Sequence, residues 1–366
     1  MRHAPYLRAG SASERLRRLA LPGALAGALL LCALLPATAP AAEVPWLYDV
    51  EVPVEDQSTL ARLDAAGRAL AQLLTRLTGL SSVPRNEAVS RALAAPDLYY
   101  NRFGFERAAD GESLRLRLQF APQTVLGLIR DANLPIWGAN RPSVLAWVVV
   151  DDGSERRILG AGSDEPLIAA LAGRALERGL PLRLPLLDLT DQLAVEPAAV
   201  WGRLSSTLLP ASARYAADIV LVGRARLLDD QRWSADWQFW VDGDIRELRL
   251  EARAPEPLGH AAVDLVADEL AGRYAVLDRG TRRVDLNVSA LYGAVDYAEL
   301  LRYLGGLEFV QDMTVSSVSG DRLGVSLLTA AGPEQLLELF RLDQRLFPDQ
   351  LNDAPGGAIA LVWKRR

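Results

Sequence analysis

Asp151 and Asp152 follow the unbroken apolar run Val144 to Val150. A carboxylate pair at the end of a buried strand sits where open α/β sheets place ligands, and its hard oxygen donors suit Mg²⁺. The simpler reading is a turn. Asp152-Gly153 is followed by Ser154 and the polar Glu155, Arg156 and Arg157 before Ile158 and Leu159, the composition of a tight hairpin. Gly160-Ala161-Gly162 then precedes a helix as a phosphate loop would, with main-chain N–H groups and the helix dipole available to an anion. A third glycine is missing, and Asp164 and Glu165 at the helix start satisfy the dipole themselves and repel phosphate.

Arg232 to Val241 holds three tryptophans, a composition that can stack sugar rings. Period two sorts them: Trp233, Ala235, Trp237, Phe239 and Val241 share the core face, and Trp240 is left on the polar face beside Gln238 and Asp242. Trp240 and Asp242, with Asp151 and Asp152, are therefore the binding candidates, and no catalytic or metal-ligating set emerges. His260 is the only histidine besides His3, so any Ser-His-Asp or Cys-His site would have to use that one imidazole, and a zinc site of several histidines and cysteines is excluded. Lys364 is the single lysine, close to the chain end, which argues against a Ser-Lys pair. A two-carboxylate glycosidase stays open because acids are plentiful, yet nothing singles out a pair. No cofactor is expected.

The elements that position these residues can be read from periodicity. Trp46 to Val54 alternates as a half-buried strand. A helix follows from Thr59, capped by Asp56 or Ser58 and ended by Gly79; its apolar face carries Leu60, Leu63, Leu70, Leu74 and Leu77, and its polar face Arg62, Asp64, Arg68 and Arg76. A short helix over 86–94, strands over 99–107 and 113–120 and a helix from Pro122 to Asn133 complete a β-α-α-β-β-α unit. After a Pro- and Gly-bearing joint over 135–142 come the buried strand 144–150, a helix over 165–177, a strand over 181–187 and a helix over 197–208. Strands over 217–228, 232–241 and 245–252 and a helix over 258–277 end that unit. The remainder reads strand 283–292, a helix from a capping box Asp296 and Glu299, strands 308–318 and 322–329, a helix from Pro333 and strand 358–363, a ferredoxin-like β-α-β-β-α-β order. The fold class expected is α/β to α+β: three small domains over 43–134, 135–279 and 280–366, the middle one a mixed sheet flanked by helices, the last a four-stranded antiparallel sheet under two helices. The first and last share most of their order, as in a weak structural repeat.

The 366 residues are 50% hydrophobic and 23% charged, so the chain is globular rather than disordered or fibrous. Arg2, Arg8, Arg15, Arg17 and Arg18 precede the apolar stretch Leu19 to Leu35, and Ala39 and Ala41 supply an Ala-x-Ala exit, which together read as a secretory signal cut near Ala41 or Ala42. An uncleaved inner-membrane anchor is the alternative, since about 17 apolar residues reach the lower limit of a spanning helix. Cys32 follows Leu31 rather than the small residue that lipidation needs. Without residues 1–42, which hold five arginines and one glutamate, 35 basic residues face 45 acidic ones, a net charge of -10. That balance disfavours nucleic acid and anionic lipid, no second long apolar run follows, and no cysteine remains for a disulfide.

At the joint, Leu134-Pro135-Ile136-Trp137-Gly138 with Arg141-Pro142, Trp147 and Asp151-Asp152-Gly153, together with Leu47-Tyr48-Asp49-Val50 and Leu77-Thr78-Gly79, resembles an uncharacterised family of exported proteobacterial proteins, a domain of unknown function, over roughly residues 44–255. The resemblance implies no reaction, cofactor or catalytic residue. Trp137, Gly138 and Pro142 are expected to fix the interdomain joint through aromatic packing, a tight turn and a rigid φ. The middle unit, ending in Ile219-Val220-Leu221-Val222-Gly223, is also similar to α/β domains of envelope scaffolds such as the N-terminal domain of the Tol-system β-propeller protein and cofactors of peptidoglycan synthesis, a likeness of fold alone. The reading reached is a periplasmic, non-catalytic binding or scaffold protein of the cell envelope with a protein partner; the alternatives are a carboxylate-dependent envelope glycan hydrolase and a periplasmic small-ligand binder.

Overall fold

The computed structural model describes residues 42–44, 46–107, 111, 113–241, 243–349 and 357–365; the stretch that reads as a secretory signal, up to Ala41, and Asp242 lie outside the described residues. After β1 (Ala42–Glu43) and a turn, the first sheet is opened by β2 (Asp49–Pro53). Helix α1 (Thr59–Thr78) starts where the Ser58 hydroxyl accepts the Ala61 N–H at 3.2 Å, and ends where Gly79, at φ 70, returns its N–H to the Thr75 carbonyl. Its Leu70, Leu73, Leu74 and Leu77 are fully buried. Helix α2 (Glu87–Ala94), capped by Asn86, strands β3 (Tyr100–Arg107) and β4 (Leu114–Phe120), helix α3 (Pro122–Asp131) and β5 (Pro135–Ile136) follow. The sheet runs β2-β4-β3, antiparallel throughout.

The large sheet begins after β6 (Asn140–Arg141), with β7 (Val144–Asp151) and β8 (Arg156–Leu159). Then come α4 (Pro166–Arg178), β9 (Leu182–Arg183), α5 (Leu189–Ala194), α6 (Pro197–Trp201) and α7 (Ser205–Ser212). Strands β10 (Ile219–Leu227), β11 (Trp233–Val241) and β12 (Asp244–Ala252), helix α8 (Glu256–Tyr274) and β13 (Val276–Leu277) complete it. The order is β12-β11-β10-β7-β8, with β9 also on β7; β7 is parallel to β10 and β9 and antiparallel to β8, a mixed sheet. Helices α4 and α8 bury one face and α6 and α7 the other, which explains why β7 is apolar at every position from Val144 to Val150. On that second face the Trp147 indole N–H donates to Ser212 Oγ at 2.9 Å.

Three local expectations are corrected here. The strand expected over 181–187 shrinks to the two residues of β9. The helix expected over 197–208 breaks in two at Gly202 and Arg203, the latter in the left-handed region at φ 54. Helix α5, too short for periodicity to show, occupies what read as a connection. The period-two sorting of β11 holds for Ala235, Trp237 and Phe239, all fully buried, but the opposite face is covered as well: Ser234 and Gln238 are buried.

The last sheet comprises β14 (Arg282–Ser289), β15 (Val310–Ser319), β16 (Arg322–Thr329), β17 (Leu346–Pro348) and β18 (Ile359–Trp363), with α9 (Ala294–Gly305) and α10 (Pro333–Asp343) supplying Leu300, Leu304, Leu336 and Phe340 to its core. Its order, β15-β16-β14-β18-β17, has five strands where four were expected, and β18 lies parallel to β14. The added strand β17 forms an antiparallel hairpin with β18, so the second crossover returns to the sheet one strand further out. The expected capping box does not form either: Gly293 is the N-cap, and Asp296 turns back to accept the Tyr292 N–H at 3.0 Å. The adjacency β3-β4-β2 repeats as β15-β16-β14, so the first and last units share a β-α-β-β-α scaffold. Strand β13 pairs with β5, and residues 39–366 form one compact unit. Among the described residues no helix is long and apolar enough to cross a membrane.

Candidate functional site

The joint is built around arginine. Trp137 donates its main-chain N–H to the Leu77 carbonyl at 2.7 Å and lays its ring 4.0 Å from the Arg141 guanidinium. Arg141, 0% exposed, donates only to main-chain oxygens: Nε to Gly138, Nη1 to Arg178 and Gly179, and Nη2 to Arg76 and Trp137, at 2.8 to 3.2 Å. Burial pushes this guanidinium below its ordinary pKa, and Glu308 opposes the shift. Arg178 reaches the Gly79 carbonyl at 2.9 Å and binds Asp264 and Asp268 on α8, while Arg76 takes the carbonyls of Trp46, Leu47 and Asp49. The polar face assigned to Arg76 from periodicity is thus corrected: it is 1% exposed and faces β2 rather than water. Gly179, at φ 67, leaves room for this arrangement, since any Cβ there would collide with Arg141 Nη1. Gly138 is equally constrained, its absent Cβ lying 2.8 Å from Glu308 Oε2, and Pro142 is buried. Trp137 and Gly138 thus pack in one corner with Arg141 and Glu308.

Beside that corner opens a cleft of about 400 Å³ between β6 and the end of α9. Glu308 bridges the two: its Oε1 accepts the Ala139 N–H at 2.8 Å, and Arg130 of α3 donates to its main-chain oxygen at 3.1 Å. Tyr303 donates its hydroxyl to the buried Asp343 carboxylate, and the Arg345 guanidinium lies 5.4 Å from the Tyr303 ring centre and 5.7 Å from that of Trp363. Arg302 and Asn140 complete the lining, and the Asn140 side-chain nitrogen is buried with no acceptor.

A second surface lies on the α5 side of the large sheet. Leu186, Leu189 and Leu193 are 64%, 70% and 80% exposed, the last two sharing one helix face at i and i+4, and Leu209 is exposed on α7, which packs against α5. Beneath them Asp191, buried, accepts the Leu187 N–H at 2.9 Å, the Tyr215 hydroxyl at 2.5 Å and Arg214 Nη1 at 2.9 Å. Burial and the Asp191 bond push the Tyr215 hydroxyl pKa up. Exposed leucines held by a saturated polar anchor form a fixed apolar face rather than a loosely attached one.

Asp151 and Asp152 build the turn between β7 and β8. Asp151 accepts the Gly153 N–H and pairs with Arg156, and Asp152 accepts from the Ser154 hydroxyl and from the main-chain N–H groups of Ser154 and Glu155. These bonds, the hydroxyl's first, hold the Asp152 carboxyl down at about 2. Its folded value lies below the unfolded value of about 3.9, so the turn gains its full stabilisation above that pH and loses it as pH falls through about 2. Carboxyl NMR titration is expected to place the Asp152 midpoint near 2 and to move it upward in Ser154→Ala; a midpoint near 4 in the unaltered chain would contradict the geometry. Trp240 is half-buried against the core under α6 and α7, and its expected neighbour Asp242 lies outside the described residues, so the two are not assembled into a site here. Gly160 closes a tight approach to Pro185 and Leu187, with its N–H on Ser163 Oγ at 2.9 Å, which is a packing role. His260 is exposed on α8.

The joint arginines, the cleft and the leucine face were not singled out from sequence. An arginine among leucines reads as a solvated position, and Asn140, Arg302 and Arg345 are far apart in the chain. Leu186, Leu189 and Leu193 were the one available signal, apolar residues in a stretch with turn-like neighbours. No curated protein matches the chain. Residues 41–138, which carry the first sheet, its helices and the chain as far as the joint, are similar to an uncharacterised family described as a domain of unknown function (DUF8605).

Proposed function

We propose that the protein is exported and acts in the cell envelope as a non-catalytic binding or scaffold protein, holding a protein partner on the leucine face of α5 and α7. The observation that carries this reading is that face itself: Leu186, Leu189 and Leu193 stand in water although a buried carboxylate anchors the segment that presents them. Exposed apolar clusters on a rigid support are typical of protein contact sites. The complementary partner surface is apolar. The Arg-rich and apolar residues 2–35 and the Ala-x-Ala exit support export. A cut after Ala41 keeps β1 whole, whereas a cut after Ala42 removes half of it.

Photo-crosslinking in cells tests this. A photoreactive residue at position 193 is expected to yield a discrete adduct with one protein, and Leu189→Ser/Leu193→Ser is expected to abolish an adduct formed from position 186 while leaving the melting temperature unchanged, because both side chains are already largely in water. Adducts no stronger than those from position 260, on the exposed side of α8, would refute the partner surface.

A further inference from the structure

The cleft beside the joint holds donors without acceptors. Arg302 and Arg345 line it, and neither has a carboxylate within ion-pair distance among the described residues. Asn140 lines the same wall, with its side-chain nitrogen buried away from the open cleft. The acids along the same wall are already engaged: Glu299 lies 3.8 Å from Arg365, Glu308 holds the Ala139 N–H, and Asp343 holds the Tyr303 hydroxyl. Each carboxylate of the wall thus already meets a donor or a cation, whereas Arg302 and Arg345 meet no carboxylate among the described residues, so the two guanidiniums are the charges without a counter-ion and favour an anion. Two guanidiniums supply planar forks suited to oxygens of a carboxylate or phosphate, and Tyr303 and Trp363 hold the Arg345 fork in place from below. The volume, about 400 Å³, is that of a small-solute site.

We propose that this cleft binds a small solute through its oxyanion head, a carboxylate or phosphate, gripped by Arg302 and Arg345. The site shares no residue with the leucine face and goes beyond the partner-binding reading, so the two stand or fall separately. The test is a thermal melt and a calorimetric titration of the full chain without its export segment, with succinate, with inorganic phosphate, with putrescine as a cationic probe, and with sodium chloride at matched ionic strength. Succinate or phosphate is expected to raise the melting temperature saturably beyond the chloride control, and whichever does so identifies the head group. Arg302→Ala, an exposed position whose loss leaves the fold intact, is expected to weaken that binding by about tenfold or more, and Arg302→Lys by less. The distant Arg85→Ala is expected to leave it unchanged. Binding of neither anion, saturable binding of putrescine alone, or anion binding that survives Arg302→Ala undiminished would overturn the assignment.

Discussion

Arg141→Ala is expected to lower the free energy of unfolding by about 4 kcal/mol, measured by urea denaturation. Five main-chain oxygens, those of Arg76, Trp137, Gly138, Arg178 and Gly179, lose their donor at once in a region closed to water. A single unsatisfied buried group costs roughly 1–3 kcal/mol, and part of the sum is recovered as water enters the vacated space. Arg141→Lys separates charge from geometry. It keeps the cation but offers three donors from one nitrogen, so it is expected to recover less than half of the loss. A lysine variant as stable as the unaltered chain would mean that charge alone, and not the five-donor fork, organises the joint.

Asp191→Ala is expected to cost about 3 kcal/mol and, in the same variant, to abolish crosslinking from position 193. The carboxylate satisfies a main-chain N–H, a tyrosine hydroxyl and one arm of Arg214, whose other arm stays with Asp188. Removing it leaves the Leu187 N–H and the Tyr215 hydroxyl without an acceptor and frees the segment that presents Leu186 and Leu189. Asp191→Asn keeps one acceptor oxygen and is expected to lose roughly half as much. Crosslinking that persists at full strength in a destabilised Asp191→Ala protein would separate the leucine face from its anchor.

What was legible in the sequence was whatever repeats with a period. The leucines of α1, the unbroken run of β7 and the alternation of β11 each place a side chain on a face, and burial follows from the face. Periodicity says nothing about which partner a side chain meets, so it assigned Arg76 to water when its guanidinium reaches round to cap β2. It also fails for pieces too short to complete two periods: α5 has six residues and β17 three, and both were passed over. The candidate binding residues suffered in the opposite sense. Asp151 and Asp152 are adjacent and conspicuous, but local turn hydrogen bonds consume them, whereas the cleft gathers Asn140 from β6, Arg302 from α9 and Arg345 from the turn after α10, and depends on tertiary docking that no local pattern encodes.

The arginines on α1 also bear on how two similar units in one chain avoid exchanging parts. In the last unit the outer edge of β14 is taken by β18; in the first, the equivalent edge of β2 has no strand beside it among the described residues. A bare edge is a template for any extended segment, and here a competing strand with the right neighbours is encoded further along the same polypeptide. The carbonyls of Asp49 and Pro53, which point away from β4, are occupied by Arg76 and Arg68 instead. Two side chains of α1, a helix adjacent in sequence to β2, thus occupy two of the outward carbonyls of that edge through local contacts. An extended segment that paired with β2 would have to displace both guanidiniums first, a cost that strand addition at an uncapped edge does not carry.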